Sequence, residues 1–391
     1  MGRKITFIIL GIVLILISGI TSRATEFDEE DTKETNQEDM IDEIANDVDY
    51  QDVQQVVDEL LSETDSVNFE EYVKELVSGE TEFSLDGILS KLKDVVLGEF
   101  KLNSKTIFQL IAIAIIAAVF TNFSNVFRNN QVAETGFYVT YLFLFSILTT
   151  SFYLATSIAV SVISSVLTFM KVLLPTYMLS IAFSAGTRTS MFYYESILFV
   201  IALVDFILIK VVLPLINIYF VLVLANNLSK EDMLSKFTEL IEMIVQWILK
   251  SLMAVVIGFN AVQGLIVPMA EHVKNSVILK STSAIPGIGN TINSVTETVL
   301  GAGVVVKNAI GVVGLIVILA ICIVPIVKLA LYVIIYKFGV SIVQPISDKR
   351  ILNCMNASAN AAKLLLNTVV IAAILFLVSI AVIAASTNLR V

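Results

Sequence analysis

The sequence is poor in the residues that form metal centres and disulfide frameworks. It contains one histidine, His272, and two cysteines, Cys322 and Cys354. A single histidine excludes a histidine-cluster metal site. The two cysteines, one in an apolar run and one in a loop, do not form a disulfide framework. No Ser/His/Asp set, paired acidic motif or zinc-protease signature occurs. We therefore expect no enzymatic activity, no cofactor and no metal.

Charge is absent from long stretches and concentrated in another. Thr135–Met170 has no charged residue, and 57% of the chain is hydrophobic, against about 45–50% in soluble domains. Glu26–Phe100 holds 25 of the 35 acidic residues and four lysines, a net charge of 4 − 25 = −21. Lys101–Val391 has 18 basic and ten acidic residues, a net charge of +8. This split excludes a soluble enzyme and predicts an acidic aqueous segment joined to a membrane body, with the lipid bilayer and no nucleic acid as partner.

The N-terminus has the pattern of a secretory signal. Arg3 and Lys4 precede the apolar run Ile5–Ile20, and Ser22 and Ala24 stand at the −3 and −1 positions of a cleavage site. Residues 1–24 are therefore a signal peptide, or alternatively an uncleaved signal anchor. Both interpretations place the acidic segment, residues 25–100, outside the cytoplasm.

The acidic segment combines a disordered start with helical patterns. Thr25–Asn36 is polar and has no apolar period, which predicts disorder. Apolar residues then recur at helical spacing over Met40–Leu61 and Phe69–Val77, and a third helix is predicted to begin at Ser84. One interpretation is a small helical cap packed on the membrane domain. The other is a docking surface for a basic partner outside the membrane.

Residues 101–391 predict a helical membrane domain with about seven spans. An apolar helix needs about 20 residues to cross the hydrocarbon core. The predicted spans are Ile107–Phe123, Phe137–Ile158, Ser161–Phe183, Ser196–Ala225, Ser251–Ala270, Ala309–Tyr336 and Leu364–Ala385. The overall class is thus all-α and polytopic, with a small acidic helical segment outside the membrane.

Two segments of the membrane domain have distinct patterns. Residues 229–249 begin with a capping box at Ser229–Asp232 and continue with apolar residues on one helical face, which predicts an amphipathic helix at the membrane surface. The Gly-rich stretch 284–311 is too polar for a lipid-facing span and too apolar for an ordinary loop. It matches no nucleotide-binding fingerprint, since no strand precedes its glycines.

The orientation of this arrangement conflicts with the distribution of basic residues. Seven spans after an extracytoplasmic acidic segment place the C-terminus in the cytoplasm. Basic residues then lie on the outer side at Lys230, Lys236, Lys250, Lys337, Lys349 and Arg350. Lys and Arg normally favour the cytoplasmic side. Either one predicted span is re-entrant or partners override the bias.

Four ionisable residues fall inside apolar runs: Lys171, Asp205, Lys210 and Lys328. Such residues usually face a partner or a water-filled cavity. Asp205 and Lys210 are five apart, about 140° around an α-helix, and make a poor pair. A pair between Asp205 and Lys171 of the neighbouring span is more plausible. The alternatives are a structural ion pair or snorkelling lysine, and a charge that lines a conduit.

Candidate helix breaks and close contacts involve proline and glycine. The positions are Pro175, Pro214, Pro268, Pro286, Pro325, Gly287, Gly289, Gly301 and Gly303. Prolines in apolar runs are either tolerated kinks or the broken helices that form binding sites in transporters. The glycines allow helices to approach closely. A polar turn that could contact a partner includes Gln344, Pro345, Asp348, Lys349 and Arg350.

From Leu213 to the C-terminus, the chain closely resembles the stage III sporulation protein AE family of endospore-forming bacteria. Six blocks occur in order: Leu228–Asp232, Ala284–Asn290, Ser294–Gly301, Lys307–Gly311, Gln344–Arg350 and Ala384–Thr387. The signal, the extracytoplasmic segment and the order of spans are also similar to that family.

The resemblance implies a role in endospore formation. Members of the family lie in the mother-cell membrane around the engulfed forespore. Together with the other products of the stage III sporulation A operon and a forespore-membrane partner, they form a channel or secretion-like complex. We therefore expect a base or permease-like membrane subunit of that complex. A stand-alone secondary transporter of a small solute and a non-conducting scaffold are the alternatives.

Overall fold

The computed structural model describes residues 40–61, 68–78, 130–228, 233–282, 289–345 and 349–386, and singly residues 98, 101, 108, 112, 115 and 119. For 130–134, 265–282 and 289–297 it describes the backbone only. Helix is the regular secondary structure throughout these ranges, so the all-α class is confirmed there. The predicted signal, the helix from Ser84, the Ser229–Asp232 capping box and most of Ile107–Phe123 lie outside the described residues.

In the acidic segment residues 40–47 are helical, and two further short helices precede the long helices of the body. They are α1 (Gln51–Leu60) and α2 (Phe69–Ser78). The body contains α3 (Asn130–Ala185), α4 (Thr187–Val204), a π-helical segment (Asp205–Val212), α5 (Leu213–Leu228), α6 (Ser235–Thr282), α7 (Gly289–Val343) and α8 (Lys349–Ser386). By length and composition, five stretches could cross a membrane: Thr135–Ala185, Thr187–Leu228, Ser235–Gly264, Thr298–Val343 and Lys349–Ala385.

The predicted turn inside the longest apolar stretch is wrong. The predicted spans Phe137–Ile158 and Ser161–Phe183 both lie in the continuous helix α3. The physical reason is local, because the sequence from Phe137 to Leu174 contains no glycine, proline or asparagine that could end a helix. The chain reverses instead at Gly186, whose φ of 89° favours glycine. The described residues thus contain five candidate spans, and the predicted count of seven is not confirmed.

Glycines of α7 make a close contact with α3. A Cβ at Gly303 would lie 2.9 Å from the backbone nitrogen of Ser184. Further along, Gly311 packs against the Tyr177 ring and hydroxyl, and Gly314 packs against Leu173. The numbers rise along α7 as they fall along α3, so the two helices are antiparallel. Small residues let helix backbones approach where van der Waals contact drives association.

The two helices of the acidic segment pack on one end of this body. The Thr176 hydroxyl of α3 donates to the Asp49 carbonyl at 3.1 Å, and the side chains of Val53, Val57 and Phe69 are fully buried. We call this end of the body the acidic end. It comprises α1, α2, the turn at Gly186 and the first turns of α7.

The opposite end of the body, which we call the basic end, holds the first turns of α3, the Leu228–Ser235 connection and the Val343–Lys349 turn. Its parts are joined by specific contacts. The Tyr141 hydroxyl donates to the Leu224 carbonyl at 2.5 Å. The Arg350 guanidinium lies 3.4 Å from the centre of the Phe137 ring.

Residues 235–249 of the predicted amphipathic helix form the beginning of α6, which continues into the predicted span Ser251–Ala270. The apolar residues of the predicted helix divide between two faces. Ile241 and Val245 are buried in the body, whereas Met233, Phe237 and Leu240 are exposed. One apolar face therefore packs on the protein and the other is exposed on its surface. The Gly-rich stretch likewise continues into the body, since α7 begins at Gly289.

The glycine contact gives a stability prediction with a matched control. Gly303→Ala should destabilise the protein by about 1–3 kcal/mol, because its new Cβ meets backbone that cannot move aside. Gly258→Ala should be neutral or stabilising by up to about 1 kcal/mol, because a Cβ there meets nothing within 4 Å and alanine favours helix. Thermal unfolding in detergent measures both. Equal midpoints for the two variants would contradict the close packing.

Candidate functional site

The four charged positions predicted inside apolar runs lie at the periphery of the body. Lys171 and Lys210 are exposed, and Asp205 and Lys328 are half-buried. Among the described residues, neither Lys171 nor Lys210 makes an ion pair with Asp205, so the favoured Asp205–Lys171 pair is not formed. Within this single chain these residues do not converge on a buried pathway. A role in a conduit stays a prediction that would require a neighbouring subunit.

Asp205 and Lys210 begin and end a turn of unusual geometry. The π-helical segment Asp205–Val212 immediately precedes Pro214 in α5. Proline lacks a backbone N–H and its ring crowds the carbonyl four residues earlier, so the α-helical hydrogen bond to the Lys210 carbonyl is lost here. In a π-helix the bond joins residues five apart, which brings Asp205 and Lys210 onto nearly the same side. The separation inferred for an α-helix is therefore wrong.

Among the described residues, the fully buried charged side chain is one that the sequence reasoning did not select. Lys307 in α7 has no exposed surface, and its ammonium donates to the Ala384 carbonyl of α8 at 3.4 Å. Ala384 lies two residues before the end of α8, where carbonyls lack helical partners and the helix dipole is negative. Lys307 thus caps α8 and joins it to α7. Its isolation between Glu297 and Lys328 in an apolar run was the available signal.

Other polar atoms are buried beside Lys307. The Tyr177 hydroxyl and the Asn308 side-chain oxygen are inaccessible and accept or donate no hydrogen bond among the described residues. Tyr177 packs against Gly311, one turn from Lys307 along α7. Two further hydrogen bonds connect helices deeper in the body: Asn260 donates to Ser379 at 2.8 Å and Tyr336 donates to Ser151 at 2.8 Å. Among the described residues, these polar side chains hold helices together through hydrogen bonds.

The proline and glycine candidates are distributed over the helices rather than gathered in one place. Pro175 and Pro325 lie inside α3 and α7, which continue through them. Pro268 lies in α6, Pro214 follows the π-helical segment, and Gly289 is the first residue of α7. Gly301 is half-buried and Gly303 touches α3. Pro286 and Gly287 lie outside the described residues.

The predicted partner turn is only partly open to solvent. Gln344, Pro345 and Lys349 are exposed, whereas Arg350 is half-buried against Phe137. Asp348 lies outside the described residues. The turn is therefore anchored to α3 by one of the residues predicted to contact a partner.

The acidic end presents the carboxylates of the aqueous segment. Side chains of this segment that are exposed include Asp52, Asp58, Glu59, Glu70 and Glu71. Below them, Tyr50 is buried with its ring 6.1 Å from that of Phe69. Burial, together with the Glu70 carboxylate, raises the pKa of Tyr50. The layer beneath the carboxylates is thus apolar and neutral, and the negative charge faces outward.

These features define a class: a helical protein whose described residues contain five candidate membrane spans, with an acidic helical segment packed on one end. Residues 67–387 match the family described as stage III sporulation protein AE, and the chain belongs to this family. A relative is the stage III sporulation protein AE of Bacillus subtilis (strain 168), 23% identical over 317 residues, which cover 80% of this chain and 78% of the relative. No solved structure matches. Membership of this family implies a role in sporulation.

The Lys307 cap gives a second prediction. Lys307→Met should destabilise the protein by about 1–3 kcal/mol, because carbonyls at the end of α8 lose their buried donor. Lys171→Met, which removes an exposed lysine, should change stability by less than about 0.5 kcal/mol. Thermal unfolding and the rate of carboxypeptidase digestion in detergent report the effect. If both variants behaved as the wild type, Lys307 would not hold the C-terminal helix.

Proposed function

We propose that this protein is a membrane subunit of the channel or secretion-like complex that joins the mother cell and the forespore during endospore formation. Family membership over residues 67–387 carries the proposal. The long apolar helices support an integral membrane role, and the mother-cell membrane around the forespore is the location that the resemblance implies. The other products of the operon and a forespore-membrane partner are the proposed neighbours.

Within that complex, the two ends of the body suggest a division of roles. The helices α1 and α2 are fastened to the body through buried side chains such as Val57 and Phe69, so they are held in a defined position. Their exposed carboxylates form an outward-facing anionic surface. This arrangement supports a base or permease-like subunit whose aqueous helices meet a basic partner in the space between the two membranes.

The alternative, a stand-alone transporter, predicts a different structural feature. Transporter sites are commonly formed by interrupted helices near the middle of the membrane. In the described parts of the chain, the candidate spans continue through Pro175 and Pro325. The purified protein should therefore show no solute uptake in liposomes without partner subunits. Substrate-dependent uptake by the protein alone would favour the transporter.

Deletion of the gene tests the proposed role directly. The deletion strain should complete engulfment but lose late forespore gene expression and heat-resistant spores, because the intercellular complex lacks a membrane subunit. Reporter fluorescence and counts of heat-resistant colonies measure this. A strain that sporulates normally, with full late forespore gene activity, would contradict the proposal.

Neutralising the acidic surface tests its role as a docking site. The combined substitution Asp58→Asn, Glu59→Gln, Glu70→Gln and Glu71→Gln should lower sporulation by on the order of tenfold, since complementary charge guides association. Glu239→Gln, at the exposed surface of the basic end, is the matched control. Immunoblots should show equal membrane levels. Sporulation that is equal in both variants would exclude docking through these carboxylates.

A further inference from the structure

The helices of the body are much longer than a bilayer is thick. Thr135–Ala185 contains 51 residues, about 77 Å of helix, whereas the hydrocarbon core is about 30 Å thick. Exposed apolar side chains occur along the whole length, from Leu142 near the basic end to Leu179 near the acidic end. Apolar composition alone therefore does not show which part of the body lies in lipid.

Uncharged runs in the antiparallel helices α6 and α7 coincide in one layer. In α6, Ser251–Ala270 is uncharged and is bounded by Lys250 and Glu271. In α7, Asn308–Val327 is uncharged and is bounded by Lys307 and Lys328. Each run has 20 residues and is about 30 Å long, which equals the thickness of the hydrocarbon core.

Contacts in the structure place three lysines at one depth. Tyr219 donates to Glu242 at 3.2 Å, so α5 and α6 are level there. Lys210 lies nine residues from Tyr219 and Lys250 eight residues from Glu242, both about 12–13 Å toward the acidic end. The rings of Phe152 and Phe220 stack at 3.8 Å beside the Tyr336–Ser151 hydrogen bond.

Lys328 is eight residues from Tyr336, again about 12 Å toward the acidic end. Of these three lysines, Lys210 and Lys250 have exposed side chains. Beyond them toward the acidic end the runs of α6 and α7 are uncharged, and α8 is also uncharged from Leu364 to Ser386. The charges that remain within this layer are Lys171 on α3, Glu195 on α4 and Asp205 at the start of the π-helical segment.

We propose that Lys210, Lys250 and Lys328 contact the anionic phospholipid headgroups of the cytoplasmic leaflet, and so set the depth and orientation of the protein. Lysine ammonium groups bind anionic lipid surfaces, and basic residues accumulate on the cytoplasmic side. Basic residues at this depth or nearer the basic end include Lys210, Lys236, Lys250, Lys328, Lys337, Lys349, Arg350 and Lys363.

The proposed orientation removes the conflict between the acidic segment and the basic residues. In this orientation α3 crosses the membrane once, whereas the sequence analysis predicted two spans there. Every later connection therefore lies on the opposite side of the membrane from the one predicted. The acidic helices touch α3 at Thr176, near its end, while Asn130 begins α3 at the other end. The chain must therefore pass from one end to the other between Ser78 and Asn130, where Ile107–Phe123 is the predicted span. The acidic end is then extracytoplasmic and the basic end cytoplasmic.

Fluorophores attached to single cysteines on α6 test the depth. Ser251 is exposed at the proposed headgroup level, and Val262 is exposed near the middle of the layer. Met233 is exposed at the basic end. The native Cys322 and Cys354 are buried and should not react. In vesicles of phosphatidylethanolamine and phosphatidylglycerol, Ser251→Cys should be quenched by headgroup nitroxides. Val262→Cys should be quenched by acyl-chain nitroxides, and Met233→Cys by aqueous iodide. Quenching of position 233 by lipid, with position 262 open to iodide, would overturn the proposal.

The lipid contact has its own test. Wild-type protein extracted in mild detergent should retain phosphatidylglycerol, and Lys210→Gln combined with Lys250→Gln should reduce the retained amount severalfold by mass spectrometry. Lys236→Gln is the control, because Lys236 is exposed at the basic end and pairs with Glu239 at 2.9 Å. Equal retention by all three proteins would exclude the headgroup contact.

Orientation is tested in intact cells. Arg188→Cys should react with a membrane-impermeant maleimide from outside, and Gln344→Cys should react only after permeabilisation. The reverse pattern would overturn the orientation. This inference goes beyond the proposed function, since it holds for the protein in a bilayer whether or not a sporulation complex assembles.

Discussion

The continuous course of α3 is the constraint on which the rest of the structure depends. One helix connects the basic end to the acidic end, and α7 lies antiparallel along it through Gly303 and Gly311. This contact is close because the glycines leave no side chain between the backbones. The acidic helices are placed by the same element, since Asp49 accepts a hydrogen bond from Thr176 of α3. A turn within α3 would reverse the direction in which each later helix runs between the two ends.

Charge in the described residues is arranged by position along the body. Exposed carboxylates lie at one end, and lysines are frequent at the other. The buried ammonium of Lys307 serves a third purpose, because it satisfies the end of α8 inside the protein. The arrangement fits a subunit that is oriented in a membrane and meets partners at its ends, and family membership connects it to sporulation.

Much of the fold could be predicted from the sequence, and the failures have local physical causes. Apolar runs identified the helical body. The thickness of a bilayer suggested that the chain turns near Ile158. The helix continues there because the sequence contains no helix-breaking residue at that point. The π-helical segment could not be derived from apolar period, although Pro214 was the visible cause. Lys307 was missed because burial depends on which helices meet around it.

The distance between two ends of α3 tests the central claim most directly. Leu142 and Leu179 are exposed on this helix and 37 residues apart. Spin labels at Leu142→Cys and Leu179→Cys, measured by double electron–electron resonance in lipid nanodiscs, should be about 55 Å apart if the helix is continuous. A hairpin with a turn near Ile158 would bring these positions to neighbouring helices about 10 Å apart. A short distance of that kind would contradict the account.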